Sequence, residues 1–110
     1  MNISIKLCEH IRERIIPQYV NFDKAHRIDH VEKVIEESMK LALHYEVNSA
    51  MVYTIAAYHD LGLCEGREFH HIVSGKILFA DETLWQWFTD DQMLQMKEAI
   101  EDHRASNKQA

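Results

Sequence analysis

Glycine and proline are scarce in this chain, with three and one respectively in 110 residues, so few positions break the backbone into turns. The apolar residues recur mostly at spacings of three and four, and no strand pattern competes, so the chain reads as all-helical. Cysteine is equally sparse. Cys8 and Cys64 are too few and too far apart for a disulfide framework or a CxxC metal knuckle, and both read as free thiols in a reducing compartment. No apolar run reaches spanning length, and the N-terminus carries no basic leader followed by an apolar segment. The expectation is a soluble, cytoplasmic protein that makes no use of a membrane.

Positive charge is also short. Twelve Lys and Arg face eighteen Asp and Glu, giving a net charge of −6. A general electrostatic grip on a nucleic-acid polymer is therefore not expected, and a small anionic ligand would need local positive charge. With 46% hydrophobic residues the chain can build one domain with a modest core, spanning residues 1–110. It predicts a compact bundle of about five to six helices.

The first helix is expected from Ile3 to about Tyr19, with Ile3, Leu7, Ile11 and Ile15 on one stripe and Pro17 near its end. After a polar linker, Asp29 reads as an N-cap with Glu32 completing a capping box. The helix that follows is expected to reach about Tyr45, burying Val31, Val34, Leu41 and Ala42. A third helix, from Ser49 to about Asp60, is apolar around most of its circumference, with Gly62 as its stop signal. His70 and His71 open a fourth helix to about Ala80, and Asp81 caps a short fifth that carries Trp85 and Trp87. Thr89 and Gln92 form a capping box for the last, which runs to about Arg104.

The segment AAYHDLG, 56–62, departs from this ordinary pattern. A carboxylate at Asp60, at the end of an apolar helix, is disfavoured both by the negative end of the helix dipole and by apolar surroundings. No Lys or Arg precedes it at helical contact spacing, whereas His59 is adjacent. A divalent metal ion would neutralise the carboxylate and use the imidazole at once.

Other histidines open or end helices in a way that suits such a centre. His30 lies in the first turn of the second helix, His71 opens the fourth with Gly75 one turn on, and His103 continues the stripe Met93, Met96, Ile100. Taken singly, a histidine on an apolar stripe is more often a hydrogen-bonded core residue than a ligand. His44 lies fourteen residues beyond His30, about 21 Å along one helix, and cannot share an ion with it. His10 reads as exposed. His26 is open between a substrate-facing role and loop packing, and His70 competes with His71, the spacing to Gly75 favouring His71.

His30 in DHVEKV, the His59–Asp60 pair, HHIVSGK from His70 to Lys76 and EDHR from Glu101 to Arg104 together resemble the HD-domain metal-dependent phosphohydrolases. The resemblance covers residues 23–106, nearly the whole chain, and implies an HD-like helical fold. It implies that His30, His59 and Asp60 hold a first ion, with Asp60 able to bridge two, and that His71 and His103 hold a second where one is present. The family hydrolyses phosphate esters and anhydrides, commonly of nucleotides, with a metal-activated water; His59 and Asp60 would then be the catalytic pair. One or two ions of Mn, Fe, Co or Ni suit these ligands, and Mg suits them less well. Lys76, Arg104 and Arg67, with His26 and His70, are the candidate substrate contacts.

Two departures accompany the resemblance. HDLGL carries Leu63 where the cyclic-dinucleotide phosphodiesterases have lysine, which argues against that branch. The family's further C-terminal helices, with their additional Asp ligand, have no counterpart here, which leaves room for a homo-oligomer covering the exposed apolar surface. The leading expectation is a phosphohydrolase acting on a nucleotide or other small phosphate compound. The alternative is a non-catalytic module that binds metal or nucleotide.

Overall fold

The computed structural model describes residues 3–21, 28–44, 47–65 and 68–109, leaving aside the side chains of residues 21, 64–65 and 103–109. The fold is all-α, and no strand occurs among the described residues. The α-helices are α1 (Ile5–His10), α2 (Ile28–Ala42), α3 (Ser49–Tyr58), α4 (His70–Ala80) and α5 (Asp90–Gln109), joined in part by 3₁₀ turns at Ile16–Asn21, Leu61–Glu65 and Glu82–Gln86. None of these helices is long and apolar enough to cross a membrane. The chain divides into two compact units, Met1–Ala57 and Tyr58–Ala110.

In the first unit, Ser4 caps α1 by accepting from the Leu7 N–H. The expected single helix from Ile3 to Tyr19 instead changes pitch twice. α1 widens into a π-helical turn at Ile11–Ile15, in which the Ile16 N–H reaches back five residues to the Ile11 carbonyl, and then tightens into the 3₁₀ turn. Pro17 is the physical cause we assign, because its ring clashes with the carbonyl four residues earlier and it has no N–H to donate. The altered pitch still buries Leu7, Ile11, Ile15, Ile16 and Tyr19, and the Tyr19 hydroxyl donates to the Ala57 carbonyl at 2.6 Å. His10, at the end of α1, is half-buried rather than exposed.

α2 begins one residue before Asp29, so this carboxylate lies inside the first turn, where the helix dipole favours it, rather than at the N-cap. Val31 and Ala42 are buried as the stripe predicts, but Leu41 is 61% exposed. At 100° per residue Ala42 returns to within about 20° of Val31, whereas Leu41 stands about 80° away. The helix ends at Ala42, and the expected limit at Tyr45 falls outside the described residues. Asn48 caps α3 by accepting from the Met51 N–H.

Tyr53 links α3 to α1. Burial pushes its phenol up to about 12 from 10.0; its hydrogen-bonded neighbour Cys8, a free thiol, adds to the rise and Arg12 opposes it. A phenol held above its unfolded value contributes stability that is complete below pH ~10 and is lost as pH rises toward 12. Urea unfolding at pH 7 and pH 11 should therefore show wild type losing ~1 kcal/mol more than Tyr53→Phe over that interval. Parallel losses in the two proteins would remove Tyr53 from the alkaline transition.

In the second unit, α4 packs on α5 and on the 3₁₀ turn Leu61–Glu65. Met93, Met96 and Ile100 form the buried stripe of α5. Gly75 makes the helix contact possible, because a Cβ there would stand 2.9 Å from Glu101 Cγ and 3.2 Å from the Lys97 carbonyl. The room beside this glycine is thus taken by a neighbouring helix. Lys97 and Glu101 pair at 2.7 Å one turn apart on α5.

The capping signals of this unit appear as read. The Thr89 N–H donates to Gln92 Oε1 and the Gln92 N–H to Thr89 Oγ1, at 3.0 and 3.2 Å. Asp81 accepts from the Thr83 N–H at the start of the turn Glu82–Gln86 and also from the Tyr58 hydroxyl at 2.6 Å. Trp85 meets Phe79 edge to face. α5 continues to Gln109, beyond the expected end at Arg104.

Candidate metal centre

The HD pair does not sit inside α3. The helix ends at Tyr58, and His59 and Asp60 form a turn leading into Leu61–Glu65, where the Asp60 carbonyl accepts from the Leu63 N–H at 3.1 Å. Gly62 therefore stands four residues past the end of α3, and a close approach explains it better than a helix stop does. A Cβ on Gly62 would run into the His70 carbonyl and stand 2.7 Å from the Ser74 backbone nitrogen. The Gly62 N–H donates to the buried Ser74 Oγ at 2.7 Å. The turn is thus pressed against the first two turns of α4, the helix that begins with His70 and His71.

This docking assembles the polar group. Asp60 is 5% exposed; its Oδ2 lies 3.1 Å from His59 Nε2 and its Oδ1 lies 3.4 Å from His70 Nε2. The His70 and His71 rings lie 3.8 Å apart with a 40° tilt. One ligating atom from each of Asp60, His70 and His71 falls within 4.8 Å of the others. Donors around a first-row ion at its usual bond length stand roughly 3–3.5 Å apart. Small rotamer changes would bring the trio to that spacing, and one carboxylate with two imidazoles is a donor set such ions accept.

Electrostatics agrees with the geometry. A buried carboxylate just past the negative end of α3 needs compensation, and His59 and His70 approach its two oxygens. Among the described residues no buried side-chain nitrogen or oxygen lacks a partner.

The structure brings together Asp60, His70 and His71, with His59 against Asp60. His30 lies half-buried in the first turn of α2, in the first unit, and Lys76 is exposed on α4. His103 and Arg104 belong to α5, but their side chains lie outside the described set, and Arg67 and His26 lie outside the described residues. Sequence reasoning weighed His70 against His71, favoured His71 as the ligand, kept His70 among the substrate contacts and did not single out Ser74. The signal available was the HHIVSG run itself, in which Ser74 follows His70 by one helical turn.

Ser74→Ala would leave the Gly62 N–H buried without its acceptor, a loss of about 1–3 kcal/mol. Urea denaturation measures it. A midpoint unchanged from wild type would show that the turn does not depend on this hydrogen bond.

No family model, curated protein or solved structure matches the chain.

Proposed function

We propose that the protein is a metal-dependent phosphohydrolase acting on a nucleotide or another small phosphate ester or anhydride. The observation that carries this reading is the convergence of Asp60, His70 and His71 to within one ion's reach. The ordered motif set, from His30 through the HD pair and HHIVSGK to EDHR, supports it as a resemblance.

A bound divalent transition ion supplies Lewis acidity toward a phosphoryl oxygen and lowers the pKa of water. The chain's own residues do the rest. Asp60, His70 and His71 would hold the ion, and the resemblance would add His103. His59 engages the second Asp60 oxygen and fixes how the carboxylate faces. Lys76, Arg67 and Arg104 offset phosphate charge in an acidic chain, and His26 is a further substrate contact.

The test is release of inorganic phosphate from a panel of nucleotides and simple phosphate esters, with Mn, Fe(II), Co or Ni added in turn and then chelated. Metal-dependent, chelator-reversible turnover is expected. Stoichiometric metal or nucleotide binding without turnover would instead make the protein a non-catalytic binding module.

A further inference from the structure

We infer that His70 is itself a metal ligand, and that Asp60, His70 and His71 form a three-donor site for one divalent transition ion, complete within residues 60–71 without His30. The inference rests on the metal-dependent reading above but assigns the ion to a different set of side chains from the one the resemblance implies. Consecutive residues inside a helix point about 100° apart and do not face one site. Side-chain torsions offset that divergence here, for the two rings turn toward each other and lie 3.8 Å apart between centroids.

Three further observations point the same way. His70 Nε2 is already 3.4 Å from Asp60 Oδ1, close to the donor spacing an ion imposes. The backbone that carries Asp60 is fixed to the backbone that carries the histidines, through Gly62 and Ser74. Pre-set backbones lower the cost of bringing three donors to one point. All three residues are buried or half-buried, and a carboxylate with two imidazoles leaves coordination positions for water or substrate.

Co(II) binding to the full chain tests the assignment, followed by visible absorption and equilibrium dialysis, with far-UV circular dichroism reporting the fold. His70→Ala and His71→Ala should each weaken Co(II) binding more than about 100-fold, beyond the usual effect of losing an outer hydrogen-bond partner. His30→Ala should stay within about threefold of wild type and keep its spectrum. His70→Gln separates a ligand from a residue that merely orients Asp60, since its amide can donate to the carboxylate but does not replace the imidazole nitrogen. It should fail as His70→Ala does.

Rescue by glutamine, or wild-type binding in His70→Ala, would overturn the inference and leave the metal-dependent reading standing. Loss of the ion in His30→Ala would do the same. Absence of Co(II) binding in wild type would overturn both.

Discussion

Asp60→Asn is expected to reduce metal-dependent phosphate release by at least about a thousandfold in kcat/KM, some 4 kcal/mol of transition-state stabilisation. Asparagine has nearly the same shape, so the turn against α4 should survive and helix content should not change. The negative charge is lost. An amide oxygen is a weak ligand for a first-row ion beside two imidazoles, and it offsets none of the ion's charge. The exchange relieves the desolvation cost of a buried charge while leaving a side-chain oxygen that can still accept from the imidazoles, so the fold should survive it. Activity and stability should therefore separate in this variant. Turnover within tenfold of wild type would mean that phosphate release does not depend on the Asp60 charge.

Gly62→Ala should be more damaging than Gly75→Ala, the other described glycine of the second unit. The new Cβ would meet backbone, the His70 carbonyl and the Ser74 nitrogen, and neither can yield without moving α4. The turn must lift off, which also breaks the Gly62–Ser74 hydrogen bond. Overpacking and a lost buried hydrogen bond together amount to about 3 kcal/mol or more, a fall of roughly 10 °C or more in Tm. Gly75→Ala is the natural comparison. Its closest contacts at 2.9 Å are side-chain atoms of Glu101, which can rotate away, although the Lys97 carbonyl stands at 3.2 Å. Its loss should be well under half as large. Equal losses at the two glycines would contradict the close docking of the HD turn on α4.

Signals that act locally were legible in the amino-acid sequence. Thr89 with Gln92 and Asp81 with Thr83 are caps set by residues two or three apart, and they form as read. The start of α4 at His70 and the stripe Met93, Met96, Ile100 follow from helical spacing alone. Features that depend on pitch or on distant backbone were not legible. The effect of Pro17 on the turn Ile11–Ile15 changes the register of a helix whose apolar spacing looks continuous. Leu41 satisfied a three-or-four spacing rule yet stands off the face that Val31 and Ala42 share.

The candidate site divides in the same way. A carboxylate and an imidazole ending an apolar segment mark Asp60 and His59 as anomalous without any structure. Which later histidine meets them could not be read from periodicity, because periodicity separates neighbours at Cβ whereas side-chain torsions bring the His70 and His71 rings together. Gly62 carried a visible signal, the glycine, but its reason lies twelve residues away at Ser74.

Metal content per chain tests the central claim most directly. The full chain would be equilibrated with Mn, Co or Fe(II), freed of unbound ion by dialysis and analysed by elemental analysis beside Asp60→Ala. At least one ion per chain in wild type, falling to less than about a tenth in the variant, is the predicted result. Wild type without stoichiometric metal, or a variant that keeps the same metal, would contradict the account.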